Sequence, residues 1–220
     1  AREDTLTLLR DWTRAHREVL AGAVLGSIGQ LGAGFQVPLA GGEGVPLFSG
    51  RTAAELQRLG LRFQTVSQEL GGGEVGQLPA LDFPLVLPVY GRTRLMVLNH
   101  CPARAALGLS KGRAACRLCE EGDSRSLEGK ALTDRLGHVF PLLRTRLPQG
   151  CLVELYNALP LNLAPFAEKI RDMGWLLSFT TESPRERLGI TACFSALRRG
   201  EPCRENLPRG TAGHFRRGVT

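Results

Sequence analysis

Apolar residues fall first at helical spacing and then in short runs divided by turn residues. Leu6, Leu8, Leu9, Trp12, Val19 and Leu20 lie near a 3.6-residue period with Arg and Asp between them, which predicts an amphipathic helix over Thr5–Leu20. Short strands are expected at Ala23–Ile28, Val45–Phe48 and Arg62–Ser67. A helix over Thr52–Leu59, with Thr52 as N-cap and Gly60 as C-cap, stands between the last two. A short helix near Glu69–Leu78 is weakened by its own glycines, and Phe83–Tyr90 is the clearest strand, an apolar run bounded by turn residues.

Alternating strands and helices predict parallel β/α units, hence an α/β fold. Four or five units fit before residue 90, whereas a full eight-stranded barrel takes roughly 250 residues. The expectation is therefore a partial or modified TIM-like (β/α) barrel with a cysteine-rich insertion and a β-hairpin. The chain begins Ala1-Arg2-Glu3-Asp4, without Met. The missing strands are expected from an N-terminal half of the barrel or from a partner protein.

The rhythm stops after Tyr90. Residues 91–130 are rich in Gly, Arg and Cys and carry little strand pattern, as a long functional loop would. Leu132–Leu143 reads as a hairpin turning at Asp134-Arg135-Leu136-Gly137, followed by a strand at Cys151–Tyr156. A helix over Ala164–Met173 ends at Gly174, then come a strand at Trp175–Thr180, a helix at Pro184–Leu197 and an irregular basic tail. The organisation expected is β/α units over 1–90, the cysteine-rich insertion with its hairpin over 91–160, helix–strand–helix over 161–200 and the tail over 201–220. No internal repeat is seen.

Composition changes this picture in two ways. The chain is 43% hydrophobic and 22% charged, enough for a real core, with no apolar run near the ~20 residues a membrane helix needs. Neither a signal peptide nor a span is visible, and a cytoplasmic location is expected. The formal charge is +7, and all basic residues but Lys111, Lys130 and Lys169 are Arg, whose planar fork suits phosphate. RNA is the partner class this charge favours.

Four cysteines frame the insertion: Cys101, Cys116, Cys119 and Cys151. The Cys116-Arg117-Leu118-Cys119 turn is half of a zinc or iron–sulfur site, and two distant cysteines could complete it. Spacing leaves both metals open, and His100 beside Cys101 keeps a mixed Cys/His zinc site as an alternative. Cys193 reads as a core residue of the last helix and Cys203 as an uninvolved thiol of the tail. Asp134, Arg135 and His138 cluster at the hairpin, where acid–base chemistry competes with a plain turn role. No Gly-x-Ser-x-Gly elbow and no His-Glu-x-x-His helix is present.

Several runs, in order, resemble peptidase family U-32, the collagenase-like peptidases. They are Val89-Tyr90-Gly91-Arg92, Leu95-Met96-Val97, His100-Cys101-Pro102, Leu132-Thr133-Asp134-Arg135 with Gly137, Phe140 and Pro141, and Cys151 with Leu155-Tyr156-Asn157 and Pro160-Leu161. Gly26–Leu31, Ser67–Leu70 and the ending Gly213–Val219 resemble the same family. The resemblance spans residues 21–220 and implies the C-terminal half of a long-chain member. It implies a modified (β/α) barrel and a four-cysteine [4Fe–4S] cluster on Cys101, Cys116, Cys119 and Cys151. It also implies hydroxylation of ribosomal or transfer RNA, with collagenase-like proteolysis as the alternative; apart from the resemblance, a non-catalytic zinc-stapled binding domain is a third reading. Tyr90, Arg92, His100, Asp134, Arg135 and Asn157 are the residues it places near substrate or around the metal ligands.

Overall fold

A computed structural model describes residues 3–79, 82–108, 116, 119, 127, 129–147 and 150–218. Most of the insertion between 109 and 128, and Val219 of the ending run, lie outside them. The fold is mixed α/β. Helix α1 (Glu3–Ala15) precedes β1 (Ala23–Leu25), β2 (Leu39–Gly41), helix α2 (Gly50–Arg58) and β3 (Leu61–Thr65). Helix α3 (Gly72–Val75) is a single turn before β4 (Leu85–Gly91).

After β4 come β5 (Arg94–Leu98), helix α4 (Pro102–Ala106), β6 (Ala131–Thr133), β7 (Val139–Leu147) and β8 (Gly150–Tyr156). The chain returns through β9 (Leu161–Asn162), a 3-10 helix at Ala164–Ile170, β10 (Gly174–Ser178) and helix α5 (Pro184–Arg198).

Two sheets result. Strands β1, β2, β3, β4 and β10 lie side by side in that order, all parallel, with β9 pairing antiparallel to β4. The second sheet, β5-β8-β7-β6, is antiparallel throughout. The parallel sheet is open, and among the described residues no barrel closes on it. β4 is buried between β3 and β10, as the expected central strand requires, and its last five residues are all buried.

Local chemistry explains the boundaries. Ser49, not Thr52, caps α2: its hydroxyl accepts from the Thr52 amide, satisfying one of the first-turn donors. Ser183 and Glu186 form a reciprocal capping box at α5, with Pro184 at the first helical position.

Val45–Phe48 is not a strand. Val45 and Leu47 are buried in alternation, which mimics a strand, but their carbonyls are held individually, Val45 O by the Gln64 side-chain amide at 2.8 Å and Leu47 O by the Ser67 amide. The strand at that place is the three-residue β2, too short and glycine-marked to stand out as a pattern. The stretch expected as irregular after Tyr90 contains β5, and Ala164–Ile170 is 3-10 rather than α.

The tail is not irregular throughout. Thr211 bridges Leu161, and Gly213–Arg216 forms a 3-10 turn that buries Phe215 against Phe166. Cys203 is not an uninvolved thiol: it forms a disulfide with Cys193, which is buried as expected. Cys203 lies where the chain doubles back along α5, and ten residues suffice to bring the two sulfurs together.

Candidate metal centre and adjoining cleft

Antiparallel pairing of β7 and β8 builds a small second core from Leu127, Leu142, Val153 and Leu155. Cys101, Cys119 and Cys151 all pack against it. They arrive from three stretches: the residue preceding α4, the insertion, and the start of β8.

Cys116 is tied in through its backbone, since Arg146 donates to the Cys116 carbonyl at 3.1 Å and approaches Cys151 Sγ at 3.8 Å. The Leu127 amide donates to Cys119 Sγ at 3.4 Å. All four cysteines are half-buried thiols outside the disulfide. Among the described residues no three His, Cys, Asp or Glu side chains form a group that could hold a metal ion. Three of the thiols, those of Cys101, Cys119 and Cys151, pack on one apolar floor, and N–H groups are directed at two of the sulfurs; thiols are donors that suit soft metals.

A separate cleft opens at the carboxyl ends of the parallel strands, where ligands bind in open α/β sheets. One cavity of about 220 Å³ is lined by Glu43, Gln68, Tyr90, Arg92, Arg94, Tyr156 and Thr180, among others. A neighbour of about 390 Å³ shares Glu43, Gln68, Arg94 and Leu161 with it and adds Asn157, Thr211 and His214. Its walls are hydrogen-bonded. Gln68 donates to Glu43 and accepts from Thr93, while Glu154 accepts from both Arg94 (2.7 Å) and Tyr156 (3.2 Å). Thr180 Oγ1 is buried with no partner among the described residues.

Tyr90 is buried on the cleft floor and donates to Glu182 Oε1 at 3.3 Å; the other oxygen of Glu182 accepts from the Thr180 and Thr181 amides. Burial first, and the Glu182 charge second, push the Tyr90 phenol well above its ordinary range, so it stays a hydrogen-bond donor at neutral pH. Arg92 donates to the carbonyls of Asn157 and Ala158 and to the Thr181 hydroxyl, which joins the second sheet to the turn after β10.

The residues singled out in the sequence therefore divide. Tyr90, Arg92 and Asn157 meet in the cleft, Cys101, Cys119 and Cys151 pack on the small core, and Cys116 is held beside Cys151 through Arg146. His100 is exposed beside Cys101. Asp134 and Arg135 sit at the exposed hairpin tip, away from both. Asp134 accepts from the His138 ring and from the Leu136 and His138 amides. The His138 hydrogen bond holds its carboxyl below the usual carboxylate range, as a turn-closing residue requires.

Glu182, Glu43 and Glu154 were missed, and only their positions at strand ends or on β8 could have signalled them. Comparison with family models, with curated proteins and with solved structures returns no match to this chain.

Proposed function

We propose that this chain is the metal-bearing half of a U-32-type modified (β/α) barrel, holding a [4Fe–4S] cluster on Cys101, Cys116, Cys119 and Cys151 and serving hydroxylation of ribosomal or transfer RNA. The observation that carries the reading is the gathering of cysteines from three separate stretches on one small core. The open sheet of five parallel strands is a little over half of an eight-stranded barrel, and the rest would come from further sequence or a partner.

When bound, the cluster supplies one-electron transfer. The chain's own residues hold it and shape the cleft. Tyr90 presents a protonated hydroxyl, and Arg92 and Asn157 fix the cleft wall. Cys151 and Tyr156 lie five residues apart on β8, about 17 Å at ~3.4 Å per residue. A ligand in the cleft is therefore distinct from the metal ligands.

A formal charge of +7 supports an RNA partner. A cytoplasmic location goes with the reading, because cluster thiolates need reducing surroundings, where Cys193 and Cys203 would stand as thiols.

Iron and acid-labile sulfide analysis of anaerobically purified protein tests the reading, with about four of each per chain expected. Loss of both in Cys116→Ser and Cys119→Ser is expected as well. Zinc without sulfide would favour the stapled domain, for which exposed His100 beside Cys101 offers a nitrogen ligand. Absence of any metal would end both. Proteolysis of collagen peptides by the metal-free protein would instead favour the peptidase alternative.

A further inference from the structure

Arg146 stands on β7 directly opposite Cys151 of β8 in the antiparallel register. One guanidinium nitrogen reaches both the Cys116 carbonyl (3.1 Å) and Cys151 Sγ (3.8 Å). Arg146 is exposed, and holding its long side chain in one place costs rotamer entropy. A hydrogen bond to a backbone carbonyl fixes geometry. The carbonyl belongs to Cys116, three residues before Cys119, and the sulfur belongs to a cysteine of a different segment.

From this we infer that Arg146 is a positioning residue that docks Cys116, and with it Cys119, onto β8, assembling the thiol set before any metal arrives, and donates to the Cys151 sulfur once it is a metal ligand. Its metal-binding part rests on the cluster reading; its docking part does not. A neighbour separates docking from charge. Arg144 lies two residues earlier on the same strand and face, opposite Val153 rather than a cysteine.

The test uses the full chain, reduced and metal-free, with Arg146→Ala, Arg146→Lys and Arg144→Ala compared to wild type. Each cysteine's alkylation by iodoacetamide is timed by mass spectrometry, and far-ultraviolet circular dichroism verifies folding. In Arg146→Ala, Cys116 and Cys119 are expected to react several-fold faster while Cys193 keeps its rate; Arg144→Ala is expected to match wild type.

Cobalt(II) titration of the same proteins, read by thiolate charge-transfer absorption, is expected to show affinity about 10–100-fold weaker in Arg146→Ala. Arg146→Lys, which keeps the charge and loses the fork, is expected between the two. Equal alkylation in wild type and Arg146→Ala, or an equal effect from Arg144→Ala, overturns the inference whatever the metal does. Unchanged cobalt affinity in a wild type that binds cobalt overturns it too. A wild type that takes up neither cobalt nor iron sinks the cluster reading instead and leaves alkylation to decide the role of Arg146.

Discussion

Tyr90 and Glu182 come together from strand β4 and the turn before α5, and their contact makes a titration prediction. The phenol is raised above its ordinary value near 10, so folding favours the protonated form. That contribution to stability is present in full below pH ~10 and is lost as pH rises through the raised value. Denaturant unfolding from pH 8 to 11 should therefore show wild-type stability falling above pH ~10. Tyr90→Phe should start about 1 kcal/mol lower and fall less steeply. Tyr90 was legible because it ends the clearest apolar strand. Glu182 was not, because a single acidic residue ahead of a helix reads as ordinary capping sequence, and only the turn of the Thr180 and Thr181 amides toward its carboxylate shows its role.

Among the elements, the contact between β4 and β10 constrains the sequence closely. Gly91 pairs with Ser178 at a φ of 137°, and a Cβ there would stand 2.3 Å from the Ser178 carbonyl oxygen. Gly91→Ala should cost about 3 kcal/mol in urea denaturation, with the cleft distorted in proportion. A second prediction concerns α5 and the tail. Under oxidising conditions Cys203→Ala should lose about 2–3 kcal/mol relative to wild type, the loop-closure value for ten residues, and the difference should vanish in dithiothreitol. The β/α rhythm, the hairpin turn and α5 were legible because each repeats a periodic or capping signal. β5 was not, because Leu95, Met96 and Val97 are all about half exposed on an outer strand and lack the alternation that marks a half-buried one. The disulfide was hidden because nothing in the residues after α5 signals that the chain turns back along the helix.

For the molecule as a whole, net charge overstates the surface available to a polyanion. Arg94 and Arg199 are paired with Glu154 and Glu201, Arg92 is held by carbonyls, and Arg198 donates to the Met173 carbonyl and lies over Trp175. Binding of single-stranded RNA, measured by fluorescence anisotropy between 50 and 300 mM KCl, should follow counterion release at about 0.7 per phosphate neutralised. Arg204→Ala with Arg209→Ala should flatten that slope, whereas a slope near zero would remove RNA from consideration. The sheet order has a further consequence, in time rather than in space. The last strand laid beside β4 is β10, and 82 residues separate the end of one from the start of the other. At roughly 5–20 residues per second on the ribosome, β4 waits on the order of ten seconds with one edge unpaired. The cysteine-bearing hairpin is made of local antiparallel pairs and can form during that wait. A nascent chain stalled before Gly174 would thus carry a folded cysteine-bearing arm on an unfinished and adhesive sheet, which makes this interval a point at which the protein needs a chaperone.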